Sequence, residues 1–277
     1  MSHEGGDLQH WIPEARVNVE SPNLARMYDY MVGGTTNFAI DRAAAAAFHH
    51  EFPWIEHWAW VNRAFLRRAV RHLATEVGID QFLDLGSGIP TVGNVHEIAQ
   101  RENPQARVAY VDHDPIAVAH TQRLLAGTAR VSIIQANLCE PDMVLTAPGV
   151  AQLLDFTRPV AVLAIAILDV LEPVHDLGDM LARYRDTCCP GSALALSHGV
   201  RTTLSENDAA RFHEVSARHA NTTHTWRTPH QLHELLTGYT LMAPGLVPTP
   251  QWRPDHPISD ADAHQCNAYA GIGLRPS

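Results

Sequence analysis

Five short apolar runs, Phe82–Leu85, Arg107–Val111, Val131–Gln135, Val160–Ile165 and Ala193–His198, have the length of strands, and stretches of helical periodicity around Val95–Arg101, Pro115–Leu125 and Leu177–Cys188 alternate with them. Strands separated by helices cannot close tight hairpins and must pair in parallel through crossovers. The alternation therefore predicts a doubly wound α/β fold, a parallel sheet with helices on both faces. Before it, Leu24–Met31 and Asp41–Phe52 read as helices. Trp58–Val77 reads as a long amphipathic helix with Phe65, Leu66, Ala69, Val70 and Leu73 on one face, ended by Gly78. After it, Glu206–His219 and Pro229–Leu236 read as helices, and Tyr239–Val247 and Ala268–Leu274 as two last strands, an antiparallel pair at the sheet edge.

The chain has 277 residues, 45% of them hydrophobic, enough for one substantial core, and no low-complexity tract divides it. One main domain with elaborations is expected. Pro159–Leu171 is too short for a bilayer helix and contains Asp169, and the first residues lack the basic and apolar regions of a secretory signal, so a soluble, cytoplasmic protein is expected. Cys139, Cys188, Cys189 and Cys266 form no CxxC pair and suit reduced thiols. The net charge of −10, without a basic stripe, disfavours nucleic acid. All 20 Lys and Arg residues are arginine, which excludes a Walker lysine, a kinase-type lysine and a pyridoxal Schiff base. Although there are 18 histidines, the spacing of His230 and His233 in HQLHE is not that of a zinc site, and no metal is expected.

In this architecture ligands sit outside the carboxyl ends of the strands. The first strand runs into FLDLGSGIP, where the third glycine of a dinucleotide fingerprint is replaced by Thr91 and Pro90 precedes it. Asp84 at the mouth of that turn repels phosphate and suits an ammonium or sulfonium group. Asp112 in YVDHDP ends the second strand, where a carboxylate can accept both hydroxyls of a ribose. In QANL after the third strand, Asn137 can accept from an adenine amino group while the Leu138 N–H meets a ring nitrogen. Together these residues describe an adenosine site with a cationic extension.

These residues resemble the class I S-adenosylmethionine-dependent methyltransferases, and more closely the actinobacterial S-adenosyl methyltransferase family. The resemblance is carried by ARMYDYMVGGTTNFAIDRAAA, NRAFLRRAVRHLATEVGIDQFLDLGSGIPTVGNVHE, YVDHDP, PGSALALSH and PGLVPTPQWRPD. It implies a Rossmann-like, seven-stranded mixed sheet of order 3-2-1-4-5-7-6. It also implies an N-terminal helical lid over residues 1–78 and a cofactor-binding domain over 79–277 with a helical insertion at about 200–238. It further implies S-adenosyl-L-methionine as cofactor, with Asp84, Gly86 and Gly88 at its methionine portion, Asp112 at the ribose, His113 on one face of adenine, Asn137 and Leu138 at the adenine edge and Ala166 beside it. Tyr28, Gly34 and Arg63 would lie over the cofactor, Arg63 against its carboxylate. Asn137 stands where the family has aspartate, and Asp169 where it has histidine.

The function expected is methyl transfer to a small-molecule acceptor, a secondary metabolite, by in-line displacement, with positioning and desolvation supplying most of the catalysis. His198, Asp169 and Tyr28 are the candidate bases. Tyr28, Tyr30 and Phe38, with the joint at Gly33-Gly34, are expected to form a lid. Trp54, Trp58 and Trp60 either pack the core or wall the acceptor pocket. A homodimer is compatible with this reading, and no nucleic-acid or membrane partner is expected. The alternatives are an NAD(P)-dependent oxidoreductase and a non-catalytic S-adenosylmethionine-binding protein.

Overall fold

The computed structural model describes residues 20–89, 93–171, 176–220 and 222–277. Pro90 and Thr91, singled out above, lie outside the described residues. The predicted alternation is present: α1 (Leu24–Met31), α2 (Ala39–Glu51) and α3 (Ile55–His72) precede β1 (Gln81–Leu85), α4 (Val95–Glu102), β2 (Arg107–Asp112), α5 (Pro115–Leu124) and β3 (Val131–Gln135). Two short helices, α6 (Pro141–Thr146) and α7 (Pro148–Ala151), lead to β4 (Ala161–Ile165), α8 (Leu177–Thr187) and β5 (Ala193–Gly199). The chain ends with α9 (Glu206–Ala220), α10 (Pro229–Leu235), β6 (Thr240–Leu241), β7 (Val247–Pro248), α11 (Asp260–His264) and β8 (Ala268–Leu274).

Strands β1 to β5 are parallel, β8 is antiparallel to β5, and the order is β3-β2-β1-β4-β5-β8-β6 with β7 also on β8. This is the expected Rossmann-like arrangement with one difference. The sixth strand expected over Tyr239–Val247 is broken into β6 and β7, so the sheet has eight strands rather than seven. The cause is local. Pro244 has no N–H to give a ladder, and Gly245, at φ +95°, turns back to donate its N–H to the Met242 carbonyl at 2.7 Å.

The sheet separates two cores. Phe82, Val108 and Tyr110 face the layer of α3 and α4, while Leu83, Leu85, Ala109 and Val111 face the layer of α8. Side chains alternate along a strand, so Asp84 and Asp112 point to the same side as Phe82 and Tyr110, toward α3. Helix α3 presents Phe65, Leu66, Ala69, Val70 and Leu73 to that core, ends in a π-helical turn (Leu73–Val77) and stops at Gly78, whose φ is +80°. The buried Arg68 guanidinium on α3 donates to the carbonyls of Trp252 (2.8 Å) and Thr249 (3.0 Å), tying the PTPQW segment to α3.

A third core forms a cap. Met27, Met31, Phe48, Phe52, Ile55 and Ala59 from α1, α2 and the start of α3 pack with Phe212, Val215 and Ala220 from α9. The first part of α3 belongs to the cap and its second part to the sheet, and α9 completes the cap from far along the chain. Buried Asp41 organises it. One carboxylate oxygen accepts from the Asn23 N–H (2.9 Å), the other from Arg26 Nε (2.7 Å) and the Phe38 N–H (2.9 Å). Replacing Asp41 with alanine strands a buried guanidinium and two N–H groups, so Asp41→Ala should lower stability by about 3–5 kcal/mol. Urea unfolding followed by fluorescence of the cap tryptophans measures this, and a loss below about 1 kcal/mol would contradict the role given to the pair.

Candidate active site

The carboxyl ends of β1 to β4 open into one cavity of about 850 Å³, roofed by α1, α3 and the end of α9. It lies at the switch point, where β1 has β2 on one side and β4 on the other. At the end of β1, burial raises Asp84 from the usual carboxylate range to about 7, with Arg63 opposing and Asp112 reinforcing the shift. The next turn is held by the N–H groups of Gly86 (2.9 Å) and Ser87 (3.0 Å), both donating to the Val111 carbonyl. Gly86 has φ +66°, and a Cβ there would lie 2.3 Å from Cγ1 of Ile167. Only glycine satisfies both conditions.

At the end of β2, one oxygen of Asp112 accepts the Gly88 N–H (2.7 Å) and the other the Asp114 N–H (2.9 Å). Burial pushes Asp112 up, and these two bonds oppose the shift. Asp114 caps α5 through the Ile116 N–H (2.7 Å) and accepts from Nδ2 of Asn23 (2.6 Å), fastening the cap to the rim. His113 stands exposed at the mouth. After β3, Oδ1 of Asn137 accepts the Cys139 N–H (3.0 Å), and the Leu138 carbonyl accepts the Tyr184 hydroxyl (2.8 Å). After β4, Ala166 takes φ +53° and donates its N–H to Oγ of Ser197 (3.0 Å), which in turn donates to Oδ1 of buried Asn62 (2.6 Å).

Beyond this polar end the cavity continues into an apolar lobe between the cap and the loop after β4. Met27, Met31, Phe48, Trp58, Val170 and Phe212 line it, with Arg218 and His224 as polar members. Phe212 is its hub, stacked on Trp54 at 5.6 Å and edge-on to His224 at 5.0 Å. The three tryptophans thus divide: Trp58 walls the cavity, Trp54 supports Phe212 and Trp60 is exposed. Tyr28 lines the cavity, but its hydroxyl donates to the Ala59 carbonyl (3.0 Å), and burial pushes it up to about 12 against the pull of Arg63. A phenol held in that form is no base at neutral pH.

Among the sequence candidates, Tyr28, Arg63, Asp84, Gly86, Gly88, Asp112, His113, Asn137, Leu138 and Ala166 all line the cavity. Gly34 does not. A Cβ there would fall 1.9 Å from Asp29 Oδ1, so this glycine serves the packing of the α1–α2 turn. Asp169 and His198 also stand behind the wall rather than in it, buried at 2% and 0% exposure. Strand-end position predicts that a side chain is near the crevice, and not that it reaches it.

The profile of the S-adenosyl methyltransferase family matches residues 10–276. The chain belongs to this family. A candidate methyltransferase from Thermobifida fusca YX is 36% identical, with a TM-score of 0.88 over 97% of this chain and 100% of that one. A DUF574 family protein from Streptomyces avermitilis MA-4680 is also 36% identical, with a TM-score of 0.88 over 94% and 100%. An O-methyltransferase family protein from Burkholderia thailandensis, 15% identical with a TM-score of 0.51 over 79% and 59%, shares the fold. No curated protein matches the sequence.

The enzyme is thus an S-adenosylmethionine-dependent methyltransferase, and its residues fit that cofactor. The glycine turn lets the backbone after β1 border the cavity with no side chain of its own at Gly86 and Gly88, and the polar end offers carboxylates with no lysine and no phosphate-binding third glycine. Among the described residues no helix is long and apolar enough to cross a membrane. Three contributors escaped sequence reasoning. Asp114 carried a signal, since an aspartate before proline marks a helix start. Asn62 and His224 carried none, being placed by packing alone.

Asp84 yields a test with a defined sign. Its folded value, about 7, lies above that of an unfolded carboxylate, so its contribution to stability is complete below the ordinary carboxylate range and lost as pH rises through about 7. Asp84→Asn should therefore become more stable than the native protein as pH rises from 4 to 8, by a few kcal/mol at about pH 8. The same substitution should weaken S-adenosylmethionine binding and abolish the rise in affinity across neutral pH, because a cationic ligand binds the ionised form. Parallel stability and calorimetric titrations decide this. An affinity independent of pH in the native protein would refute it.

Proposed function

We propose that this methyltransferase acts on a small molecule held in the apolar lobe, with the cofactor at the polar end. Asp84 and the Gly86–Gly88 turn hold the methionine portion, Arg63 its carboxylate, Asp112 the ribose, His113 a face of the adenine, and Asn137 and Leu138 its edge. Ala166 forms the floor between the two ends. When bound, S-adenosylmethionine supplies an electrophilic methyl group on sulfur, open to in-line displacement by the acceptor. The chain's own work is to exclude water and hold the acceptor at that methyl, which is where most of the rate gain of such a reaction originates. We place this chemistry in the cytoplasm.

The single observation that carries this reading is the continuity of one cavity from buried carboxylates to an aromatic, apolar lobe. Such a concavity suits a small molecule, whereas a macromolecular acceptor needs an exposed platform. Asp112→Ala should weaken S-adenosylmethionine binding by about 1.5–3 kcal/mol, as expected for losing charge-assisted hydrogen bonds. Calorimetry on the folded variant measures it, and unchanged affinity removes Asp112 from the ribose. Incubation with methyl-labelled cofactor and an extract of the producing organism should place label in the small-molecule fraction. Label confined to protein or nucleic acid would overturn the acceptor class.

A further inference from the structure

His224 is on the wall of the apolar lobe, and its Nδ1 faces Oδ2 of Asp169 at 3.8 Å. Asp169 is fully enclosed, and its Oδ1 has no hydrogen-bond partner among the described residues. Its loop is fixed to the loop that carries the histidine by the Thr225 N–H, which donates to the Asp169 carbonyl at 2.7 Å. The edge contact with Phe212 sets the plane of the imidazole. With Nδ1 turned to the carboxylate, Nε2 is the nitrogen left for the contents of the cavity.

We propose that His224 is the base that accepts the proton of a phenolic hydroxyl on the methyl acceptor, with Asp169 as its positioning residue. This rests on the methyltransferase reading above. A carboxylate buried with an unpartnered oxygen is costly, and an imidazolium forming beside it relieves that cost. Burial pushes Asp169 upward, yet the facing His224 and His198 hold it below the usual carboxylate range, so it stands ionised. His198 cannot take the proton itself. The Arg227 guanidinium, a donor only, points to its Nε2 at 2.6 Å, and its Nδ1 donates to the Gly199 carbonyl at 2.8 Å. Burial and the positive charge of Arg227 also lower His198, although Asp169 pulls the other way. The charged or titratable groups around His224 are thus Asp169 behind it, His198 and Arg227 beyond, His213 on α9, and Arg218, also on α9, on the wall of the same lobe.

The class of acceptor follows from the same wall. A lobe lined by Trp58, Phe48, Phe212 and two methionines suits a planar apolar ring. Phenols ionise near pH 10 and imidazole near 6.5, a gap of roughly 3.5 units that transfer concerted with bond formation can bridge. An aliphatic alcohol lies far outside that reach. An ammonium-bearing acceptor would need a carboxylate in the lobe, and the cavity's carboxylates, Asp84, Asp112 and Asp114, line its polar end. In the step, a lone pair of the hydroxyl oxygen forms the new C–O bond and the O–H proton passes to Nε2. The C–S bond breaks with its electron pair remaining on sulfur as a neutral thioether. Solvent later removes the proton from the imidazolium.

The test compares methyl transfer to 2-naphthol, neutral at working pH, with transfer to 4-nitrophenol, which is largely ionised there. His224→Ala should lose at least about 100-fold in kcat on 2-naphthol, the usual lower bound for removing a general base. It should lose far less on 4-nitrophenol, regain activity with added imidazole, and bind S-adenosylmethionine unchanged. Asp169→Asn should lower kcat on 2-naphthol while leaving its KM and the affinity for S-adenosylmethionine unchanged, because it removes only the group that orients the imidazole. Equal losses on both phenols, or no rescue, would show a merely structural histidine. Absence of transfer to either phenol by the native enzyme would overturn the acceptor class. Failure of the native enzyme to bind S-adenosylmethionine would instead overturn the methyltransferase reading. Should the alanine variant not fold, His224→Gln carries the same comparison.

Discussion

The carboxylate of Asp112, gripped by the N–H groups of Gly88 and Asp114, is the contact on which the rest of the site hangs. It joins the turn after β1 to the turn after β2, and the connection continues outward. Asp114 receives Asn23, the Asn23 N–H goes to Asp41, and Asp41 holds Arg26. A relay of carboxylates thus runs from the centre of the sheet to the cap. Each link is short, polar and at least partly buried, where losing one partner costs more than the bond itself contributes. The cap is thus held above the cavity through the group that closes the turns after β1 and β2.

The electrostatics of the polar end follow from strand alternation. Asp84 and Asp112 sit at the ends of neighbouring parallel strands and project to the same face, so burial burdens both, Asp112 adds to the burden on Asp84, and Asp114 adds to that on Asp112. Arg63 is the nearby compensation, and its charge is shared among Tyr28, Asp29 and Asp84. A protein built only for stability would not place two carboxylates there. A positive charge placed between them would relieve that conflict, which makes the pair a candidate for holding a cationic ligand.

The apolar lobe has a different origin. Its wall belongs to a core that assembles α1, α2 and the start of α3 with α9, elements separated by more than the whole parallel sheet in sequence. Phe212 joins them by touching Phe48, Phe52, Trp54, His224 and Trp226. The polar end and the apolar lobe of the cavity are consequently shaped by different packing units, the sheet ends and the cap.

Features with a local cause were legible in the order of the residues. Alternating periodicities specified the sheet and its helices, the Gly86–Gly88 turn specified a close backbone approach, and Asp84, Asp112, Asn137 and Leu138 were legible because a strand end in this topology always opens on the crevice. The break between β6 and β7 also had a local cause, Pro244-Gly245, outweighed in the reading by the apolar residues around it. Only the tertiary structure decided which strand-end groups reach the cavity. Asp169 and His198 are turned behind its wall, Gly34 is held against Asp29, and His224, in a loop with no motif, is brought to the wall by α9 packing on α2. Side-chain direction at a loop is set by contacts from distant elements, and no periodicity encodes those.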